Sequence, residues 1–509
     1  MTARPGFRLW LAVLVATTLL HVVLAAGLPL SGDEAYYWDC SRHPDWSYFD
    51  QPPLVIWGMI PFRAVLGETT LAVRMPAIVA SLAVGLLLVP LVRRFGGGYR
   101  EAAIALLILH LTPAFFVGAF YASTDIGMIA CYAAATVAAA AVAEGDLRGW
   151  WGFGLAIGFG FLAKFPAVLV LGAIGAALVV SAAARGHLRR PTPWLAALVS
   201  VAVTAPVWIW GALHRWDNIR FQLAGRHAAD PEPLRQLLDL VLGVLAMLTP
   251  FLAIALVVAW VRSRRAGDPG RFVIRVAAAV PVVVFGALAV RTDIAPHWVL
   301  PGVVPAAAML ATTSFRWRRG LVVAGGVMGV ALSVALVAVV RSPETLLGVE
   351  WSYAGQPHRI STSKLSALIG TDDIVREVER RLRPGELMAS ESYSVVHEFA
   401  FRSKGRLPTR LANVNRGSHG LASLYWYAPD DLVGADVLFV TRRDGFDDRL
   451  RELFAEVVEE EPVVVRLDGE PVRRMRVLRC RDLRRPDGGF TALPWRARPS
   501  SSVRPVTAP

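Results

Sequence analysis

Long apolar runs separated by short charged loops dominate the first two thirds of the chain. A membrane-spanning helix needs about 20 apolar residues, and about 11 stretches approach that length. These candidate spans are residues 8–28, 76–93, 101–121, 125–143, 149–163, 166–184, 194–213, 236–261, 272–290, 298–313 and 320–340. Only Lys164 and Phe165 separate the fifth run from the sixth, so this pair could instead be one broken or re-entrant element. The pattern predicts a mainly α, polytopic membrane helix bundle.

The pattern changes after Val340, where charges become dense and no spanning run remains. Short β-type runs occur at 437–441 and 462–467, and a helix-like segment covers 447–458. Asp468-Gly469, between two strand-like runs, is typical of a hairpin. We predict a transmembrane domain, a small α/β domain outside the membrane, and a disordered tail rich in Pro, Arg and Ser. Their predicted bounds are 1–341, 342–482 and 483–509.

Composition excludes an ordinary soluble protein, because 55% of the residues are hydrophobic and the mean hydropathy is +0.47. The net charge of +13 does not indicate nucleic-acid binding, since many arginines lie in short loops that meet lipid headgroups. Cys40, Cys131 and Cys480 lack metal-type spacing, so neither a disulfide framework nor a Cys-based zinc site is indicated. A cleaved signal peptide is the alternative to a first span.

The distribution of arginine sets the predicted orientation. Lys and Arg are enriched in the cytoplasmic loops of membrane proteins. With a cytoplasmic N-terminus, the inside loops carry arginines at 93, 94, 100, 148, 185, 189, 190, 262, 264, 265, 271, 316, 318 and 319. The acidic stretch 31–53, and everything after residue 341, then lie on the outer face of the membrane.

The stretch 31–53 places carboxylates and aromatic rings beside the first span. Charges at a bilayer edge are costly without a role, whereas aromatic side chains suit the interface. Asp33, with Glu34 beside it, is the leading candidate for a general base. A helix-end or N-cap carboxylate is the alternative for Asp33. Asp50 is either an acid on the metal or phosphate side of a site, or the cap of the next helix.

Polar residues also occur at the predicted outer ends of other spans. Asp125 opens the fourth span, with an N-cap as its alternative. Lys164 is suited to a phosphate, with snorkelling to the interface as its alternative. His227 and His297 are either ligands or ordinary loop and packing residues. The run 96–98 of three glycines lacks the strand and the GKS/T ending of a phosphate loop, so it is interpreted as a turn.

At these residues the chain resembles the GT-C class of integral-membrane glycosyltransferases. It is most similar to the bacterial family-39/83 enzymes related to protein mannosyltransferases and the aminoarabinose lipid A transferase. The motifs that carry the resemblance are DEAYYW (33–38), YFDQPPL (48–54), YASTD (121–125), GFLAKFP (160–166), RFQLAGRH (220–227) and PHW (296–298).

The resemblance implies a bacterial plasma-membrane enzyme that uses a polyprenyl-phosphate sugar, with inversion at the outer face. The implied acceptor is a glycolipid, a glycan or a protein; membrane lipids surround the enzyme, and neither nucleic acid nor a nucleotide cofactor is expected. Asp33 and Asp125 would be the essential acids. Asp50 and His227 match positions that hold a metal in the lipid A enzyme, and a divalent metal is left open here.

Two positions depart from these relatives. Tyr36 replaces an arginine after DEA, and Gln51 replaces a lysine thought to contact the carrier phosphate. Both changes remove positive charge, so neither the aminoarabinose donor nor the lipid A acceptor can be assumed. Other predicted substrate-binding residues are Tyr37, Arg74, Lys164, Arg226 and His297.

Two alternatives come from other functional classes. The spans also permit a transporter or flippase of a lipid-linked sugar, although transporters commonly contain internal repeats and no convincing repeat is visible. A non-catalytic assembly or sensing protein, with the outer domain as its working part, is the third hypothesis.

Overall fold

The computed structural model describes residues 5–225, 232–264, 267–347, 349–353, 356–359, 368–415, 417, 419–486 and 490–491. Its chain contacts divide it into two compact units. The membrane unit comprises Met1–Leu28, Pro44–Asp217 and His227–Ala338, and the sheet unit comprises Pro29–His43, Asn218–Arg226 and Val339–Pro509. This grouping differs from the predicted division at residue 341, because two short segments from the first half of the chain belong with the C-terminal part.

Helices make up most of the described chain. They are α1 (Phe7–Gly27), α2 (Gly32–Arg42), α3 (Leu54–Leu66), α4 (Thr70–Arg94), α5 (Tyr99–His110), α6 (Pro113–Gly118), α7 (Thr124–Ala143), α8 (Gly149–Ala163), α9 (Leu171–Val180), α10 (Ala182–His187), α11 (Pro191–Leu213), α12 (Asp217–Arg220), α13 (Pro233–Leu248), α14 (Pro250–Arg262), α15 (Pro269–Leu288), α16 (Val303–Thr312), α17 (Arg318–Arg341), α18 (Thr371–Arg381), α19 (Tyr393–Arg402) and α20 (Asp447–Leu453).

Six of the described helices are long and apolar enough to cross a membrane, or up to seven if α13 and α14 form one span. They are α1, α4, α7, α11, α15 and α17. Shorter apolar helices occupy Leu54–Leu66, Gly149–Ala163 and Phe165–Val180. A multi-pass membrane protein is therefore confirmed, whereas the count of about 11 spans stays a prediction.

Proline explains where one predicted span breaks. The run 236–261 is two helices that meet at an angle of 97°. Thr249 lies between them with φ 64°, and Pro250 begins α14. A residue before proline is disfavoured in the α region, which favours a helix end here, and Thr249 has a non-helical backbone. The hydroxyl of Thr249 instead accepts a hydrogen bond from the Leu252 N–H at 3.4 Å.

Small residues let the membrane helices approach closely. A Cβ on Gly154 of α8 would lie 2.4 Å from the carbonyl oxygen of Ala196 in α11. A Cβ on Gly329 of α17 would lie 1.8 Å from the carbonyl oxygen of Leu111. Helices within lipid gain little from hydrophobicity and associate through such close packing.

Seven strands lie in the described part of the sheet unit. They are β1 (Glu350–Tyr353), β2 (Gln356–Arg359), β3 (Leu387–Ser390), β4 (Thr409–Leu411), β5 (Val437–Thr441), β6 (Phe454–Leu467) and β7 (Glu470–Leu483). β1 and β2 pair with each other, and the others form a sheet in the order β4-β3-β5-β7-β6. β3 is parallel to both β4 and β5, and the β6–β7 hairpin adds two antiparallel strands.

The structure confirms the strand at 437–441 and the hairpin at Asp468-Gly469. Both turn residues have positive φ, as a tight hairpin turn requires. The helix predicted over 447–458 is wrong in its second half, because α20 ends at Leu453 and β6 begins at Phe454. The β-branched pair Val457-Val458 favours the strand, where both residues pair with β7.

The sheet has a core on each face, because alternate residues of β5 point in opposite directions. Leu438 and Val440 pack with α18 and α19, while Val437 and Phe439 pack with α20. Part of the predicted tail also packs here: Phe490 is fully buried, and its carbonyl accepts the Asn413 N–H at 2.8 Å. Residues 487–489 and 492–509 lie outside the described part.

Candidate active site

The acidic stretch begins a helix. Asp33 and Glu34 lie in the first turn of α2, which starts at Gly32, and the first span α1 has already ended at Gly27. Ser31 is the N-cap: its hydroxyl accepts the Glu34 N–H at 3.3 Å, and the Glu34 carboxylate accepts the Ser31 N–H at 3.0 Å. This capping box fixes the start of α2 and buries the Glu34 side chain. A catalytic role for Glu34 remains only a prediction.

Asp33 lies exposed in the first turn of α2. It is not the N-cap, since Ser31 has that role. The Tyr393 hydroxyl, at the start of α19, donates a hydrogen bond to Asp33 Oδ1 at 2.7 Å. One carboxylate oxygen is thereby held in place in a group that stays accessible to solvent. This is the arrangement that a positioned general base needs.

A tight helix contact sets the position of Asp33. A Cβ built on Gly32 would lie 2.5 Å from the Cβ and Oγ of Ser394 in α19. Behind this contact, Tyr36 is buried, and its hydroxyl accepts the Ala422 N–H at 3.2 Å. Tyr37 is buried as well. The buried Tyr36 side chain therefore packs α2 within the sheet unit.

We expect Gly32→Leu to separate α2 from α19 and to lower catalytic activity by about tenfold or more, because a shift of about 1 Å can have an effect of that order. Hydrogen–deuterium exchange in the peptide 393–402 should rise. Gly175→Leu is the matched control, since a Cβ on Gly175 meets nothing within 4 Å. Equal effects of both variants would show that close packing at Gly32 does not position Asp33.

A second contact between these helices joins Asp39 to His397. His397 Nδ1 lies 2.9 Å from Asp39 Oδ2, and Arg42 donates to Asp39 Oδ1 at 2.9 Å. Burial raises the pKa of the Asp39 carboxyl, but hydrogen bonding and attraction from His397, with the charges of Arg42 and His43, hold the pKa below its ordinary value. The ionised Asp39 therefore stabilises the folded sheet unit.

This pKa direction predicts a pH-dependent stability difference. A carboxyl whose pKa is lower in the folded state stabilises the fold above its unfolded pKa of about 3.9, and the contribution is lost as pH falls through the folded pKa. Asp39→Asn should lower the melting temperature of the full-length protein near neutral pH. The gap between variant and wild type should shrink below about pH 4. A gap that stays constant down to that pH would contradict the ionised pair.

The membrane unit contains a second polar cluster. Asp125 lies in the first turn of α7, and Ser123 is the N-cap, so the N-cap alternative for Asp125 is wrong. Lys164 Nζ donates to Asp125 Oδ1 at 2.7 Å, and His297 Nε2 lies 3.8 Å from Asp125 Oδ2. Trp298 covers the ammonium group at 5.8 Å from its ring centroid. The structure thus joins three residues that are far apart in sequence.

Lys164 does not snorkel. The residue is 7% exposed and follows the end of α8 with an extended backbone, which turns its side chain to Asp125. A buried ammonium needs such a partner. His297 is more open, with 36% of its side chain exposed. The cluster therefore offers an ammonium group and an imidazole beside a carboxylate at the start of α7.

The other predicted residues of the membrane unit have different surroundings. Arg74 is buried and donates to the carbonyls of Ala25 and Leu28 at 3.1 and 2.8 Å, which ties α4 to the end of α1. Asp50 is 6% exposed, and Gln51 is half-buried. The cap alternative for Asp50 is wrong, because α3 begins at Leu54 with Pro53 as its N-cap. Substrate binding by these residues stays a prediction.

One of the two predicted metal ligands lies outside the described part of the chain. Arg226 and His227 lie outside the described residues. Among the residues that are described, no group of three or more His, Cys, Asp or Glu side chains could hold a metal ion. A divalent metal therefore stays a prediction.

Sequence reasoning missed the partners of α2. Tyr393 and His397 are four residues apart, so they share one face of α19. That spacing could have indicated a shared helix face. The S-x-x-E pattern at 31–34 could likewise have predicted the capping box that starts α2. Asp45, whose Oδ2 accepts the Trp210 indole N–H at 2.7 Å, was also not singled out.

Comparison with known proteins shows similarity to a protein family and to a curated relative. The profile of the dolichyl-phosphate-mannose-protein mannosyltransferase family matches residues 50–210. The lipid A galacturonosyltransferase RgtD of Rhizobium johnstonii is 23% identical over 450 residues, which cover 86% of this chain and 89% of that protein.

Crystal structures of ArnT from Cupriavidus metallidurans share the fold. The apo structure is 16% identical, with a TM-score of 0.62 over 92% of this chain and 97% of that one. The structure bound to undecaprenyl phosphate is 17% identical, with a TM-score of 0.61 over 92% and 98%. These matches argue against the transporter or flippase alternative. The chain is a multi-pass membrane protein that shares the fold of ArnT and is similar in sequence to membrane glycosyltransferases.

Proposed function

We propose that this protein transfers a sugar from a polyprenyl-phosphate donor to a lipid or glycan acceptor, with inversion. The observation that carries the mechanism is the exposed Asp33 carboxylate, held by the Tyr393 hydroxyl at 2.7 Å. The undecaprenyl phosphate bound to the ArnT structure and the name of the RgtD relative support a lipid-linked donor and a lipid acceptor. A protein acceptor is less well supported by these relatives.

In the proposed mechanism, Asp33 accepts the proton of the acceptor hydroxyl as that oxygen attacks the anomeric carbon. The bond from this carbon to the phosphate oxygen breaks in the same displacement. The departing phosphate needs cationic groups that are already in place, since preorganised charge stabilises such transition states. Lys164 is the proposed cation and the His297 imidazole a proposed hydrogen-bond donor, with Asp125 close to both side chains.

The proposal places the reaction on the outer face of the bacterial plasma membrane. The arginine-rich loops support this orientation. The short apolar helices at 54–66, 149–163 and 165–180 would bring the number of spans towards about 11 as tilted or broken elements. Substrate contacts by Gln51 and Arg226 are also part of the proposal. So is a divalent metal with His227 among its ligands.

A transfer assay tests this function. Purified protein is incubated with undecaprenyl phosphate linked to galacturonic acid, aminoarabinose, mannose or glucose, together with a membrane lipid extract. We expect one donor to yield a glycosylated product and an equal amount of free undecaprenyl phosphate. Movement of every intact donor across vesicle membranes, with no bond cleaved, would contradict the proposal.

A further inference from the structure

The sheet unit contains a polar crevice that the proposed mechanism does not use. It lies where the parallel strands β3, β4 and β5 end, and its volume is about 250 Å³. Its lining includes Glu391, Tyr393, Asn413, Arg442 and Arg443. Ligands of open parallel sheets bind outside the carboxyl ends of the strands, where successive connections leave in opposite directions. The end of β3 meets this condition, because the parallel strands β4 and β5 lie on opposite sides of β3.

The charge of the crevice favours an anion. Arg442 and Arg443 follow β5 directly, and both are exposed. Helix α19 begins at the crevice, and its N-cap Ser392 makes no side-chain capping bond. The positive end of the helix dipole therefore adds to the two guanidinium groups. Arginine can bind carboxylate or phosphate oxygens through two parallel hydrogen bonds.

The lining also contains the carboxyl group of Glu391 beside the two arginines. Glu391 is buried, and it accepts hydrogen bonds from Thr441 Oγ1 at 3.0 Å and Ser390 Oγ at 3.3 Å. Burial raises the pKa of Glu391, against the lowering effect of these bonds and of Arg443. Both carboxylate oxygens are thus bonded to hydroxyl groups of β3 and β5.

Size and polarity favour a sugar unit. The volume lies just below the range of about 300–1,000 Å³ that is typical of small-molecule sites, which suits one ring rather than a lipid chain. Tyr393 and His419 stack with ring centroids 6.4 Å apart, and aromatic faces of this kind suit sugar rings. Asn413 and Asn415 also line the crevice, and both amide groups bond to the backbone of Gly417, at 3.4 and 3.1 Å. Val395 and Leu411 add apolar surface to the lining, which a sugar ring can contact through its C–H groups.

Tyr393 connects the crevice to the candidate base. Its ring lines the cavity, and its hydroxyl bonds to Asp33. A Cβ on Gly420 would lie 2.3 Å from the Tyr393 Cβ, so the Tyr393 side chain packs directly against the backbone of Gly420. A ligand in the crevice is therefore one side chain away from Asp33.

We propose that this crevice binds an anionic saccharide, a sugar ring carrying a phosphate or a carboxylate, as the headgroup of the acceptor. The acceptor role rests on the proposed function, whereas the binding site does not. One saccharide bound against Tyr393 presents its neighbouring hydroxyl, or that of the next sugar, to Asp33. The proposal thus narrows the acceptor to a charged glycolipid or glycan.

Binding to the full-length protein in detergent tests the site without any donor. The probes are glucose 6-phosphate, galacturonic acid, glucose and inorganic phosphate, measured by saturation-transfer NMR. We expect at least one of the two anionic sugars to bind, and to bind about tenfold or more tightly than glucose or inorganic phosphate, because charged hydrogen bonds add to the sugar contacts. Comparison of the two anionic sugars separates a phosphate headgroup from a uronic acid.

Two double variants supply the control. Arg442→Ala/Arg443→Ala should weaken binding of the anionic sugar about tenfold or more and raise the KM for the acceptor with kcat little changed. Arg376→Ala/Arg380→Ala removes the same charge from exposed positions of α18 and should bind as the wild type does. Equal binding by both variants, or inorganic phosphate binding as tightly as the sugars, would overturn the inference. Sugar binding without transfer from any donor would instead count only against the proposed function.

Discussion

Asp33→Asn should lower the transfer rate by about 100- to 10,000-fold, which is the usual contribution of general acid–base catalysis. The amide keeps the shape of the side chain and can still accept the hydrogen bond from Tyr393. It cannot take the proton of the acceptor hydroxyl. The loss should therefore appear in kcat for the transfer step, measured with a fixed polyprenyl-phosphate sugar, while the melting temperature changes little.

Asp373→Asn is the matched control for this experiment. Asp373 also lies in the first turn of a helix of the sheet unit, with 63% of its side chain exposed and a pairing with Arg376 on the same helix. Its replacement should leave the transfer rate within about twofold of wild type, since isolated exposed ion pairs contribute little. If Asp33→Asn behaved like this control, Asp33 would not be the base.

Lys164→Met should destabilise the membrane unit by about 3 kcal/mol, at the lower end of the range of about 3–5 kcal/mol for breaking a buried ion pair. The Lys164 side chain is 9% exposed and that of Asp125 is 19% exposed. Removal of the lysine leaves a carboxylate that is mostly withdrawn from water. The lower end is expected because Asp125 keeps some access to solvent and His297 lies nearby.

The measurement is thermal unfolding in detergent, with Arg235→Met as the control. Arg235 pairs with Glu232 at 3.4 Å, but their side chains are 70% and 59% exposed. Such a surface pair is worth about 0–1 kcal/mol. The double variant Asp125→Asn/Lys164→Met should be less destabilised than the sum of its single variants, because neither charge is then left alone. Strict additivity would show that the pair does not stabilise the fold.

Local sequence patterns predicted much of the fold. Hydropathy alone located the runs that became α1, α7 and α17, because a bilayer imposes length and apolarity on each helix separately. The Thr249-Pro250 pair is also a local signal for the break between α13 and α14. The break was not predicted because this pair lies inside one continuous apolar run. Helix α3 was missed because its apolar run is only 13 residues long.

The site was only partly visible in the sequence. Asp33 and Asp125 were selected as acids near predicted helix ends, and the pairing of Asp125 with Lys164 joins residues 39 positions apart. The partner of Asp33 lies 360 positions away, in a domain whose sequence contains no recognised catalytic motif. The crevice beside Tyr393 depends on the order of the strands, which no local pattern specifies.

The central claim is a single displacement in which Asp33 activates the acceptor hydroxyl against a polyprenyl-phosphate sugar. The most direct measurement is the anomeric configuration of the product, determined by NMR after transfer from a donor of known configuration. The account predicts that the configuration is inverted and that one free polyprenyl phosphate is formed for each bond made. A product that retains the configuration of the donor would contradict it.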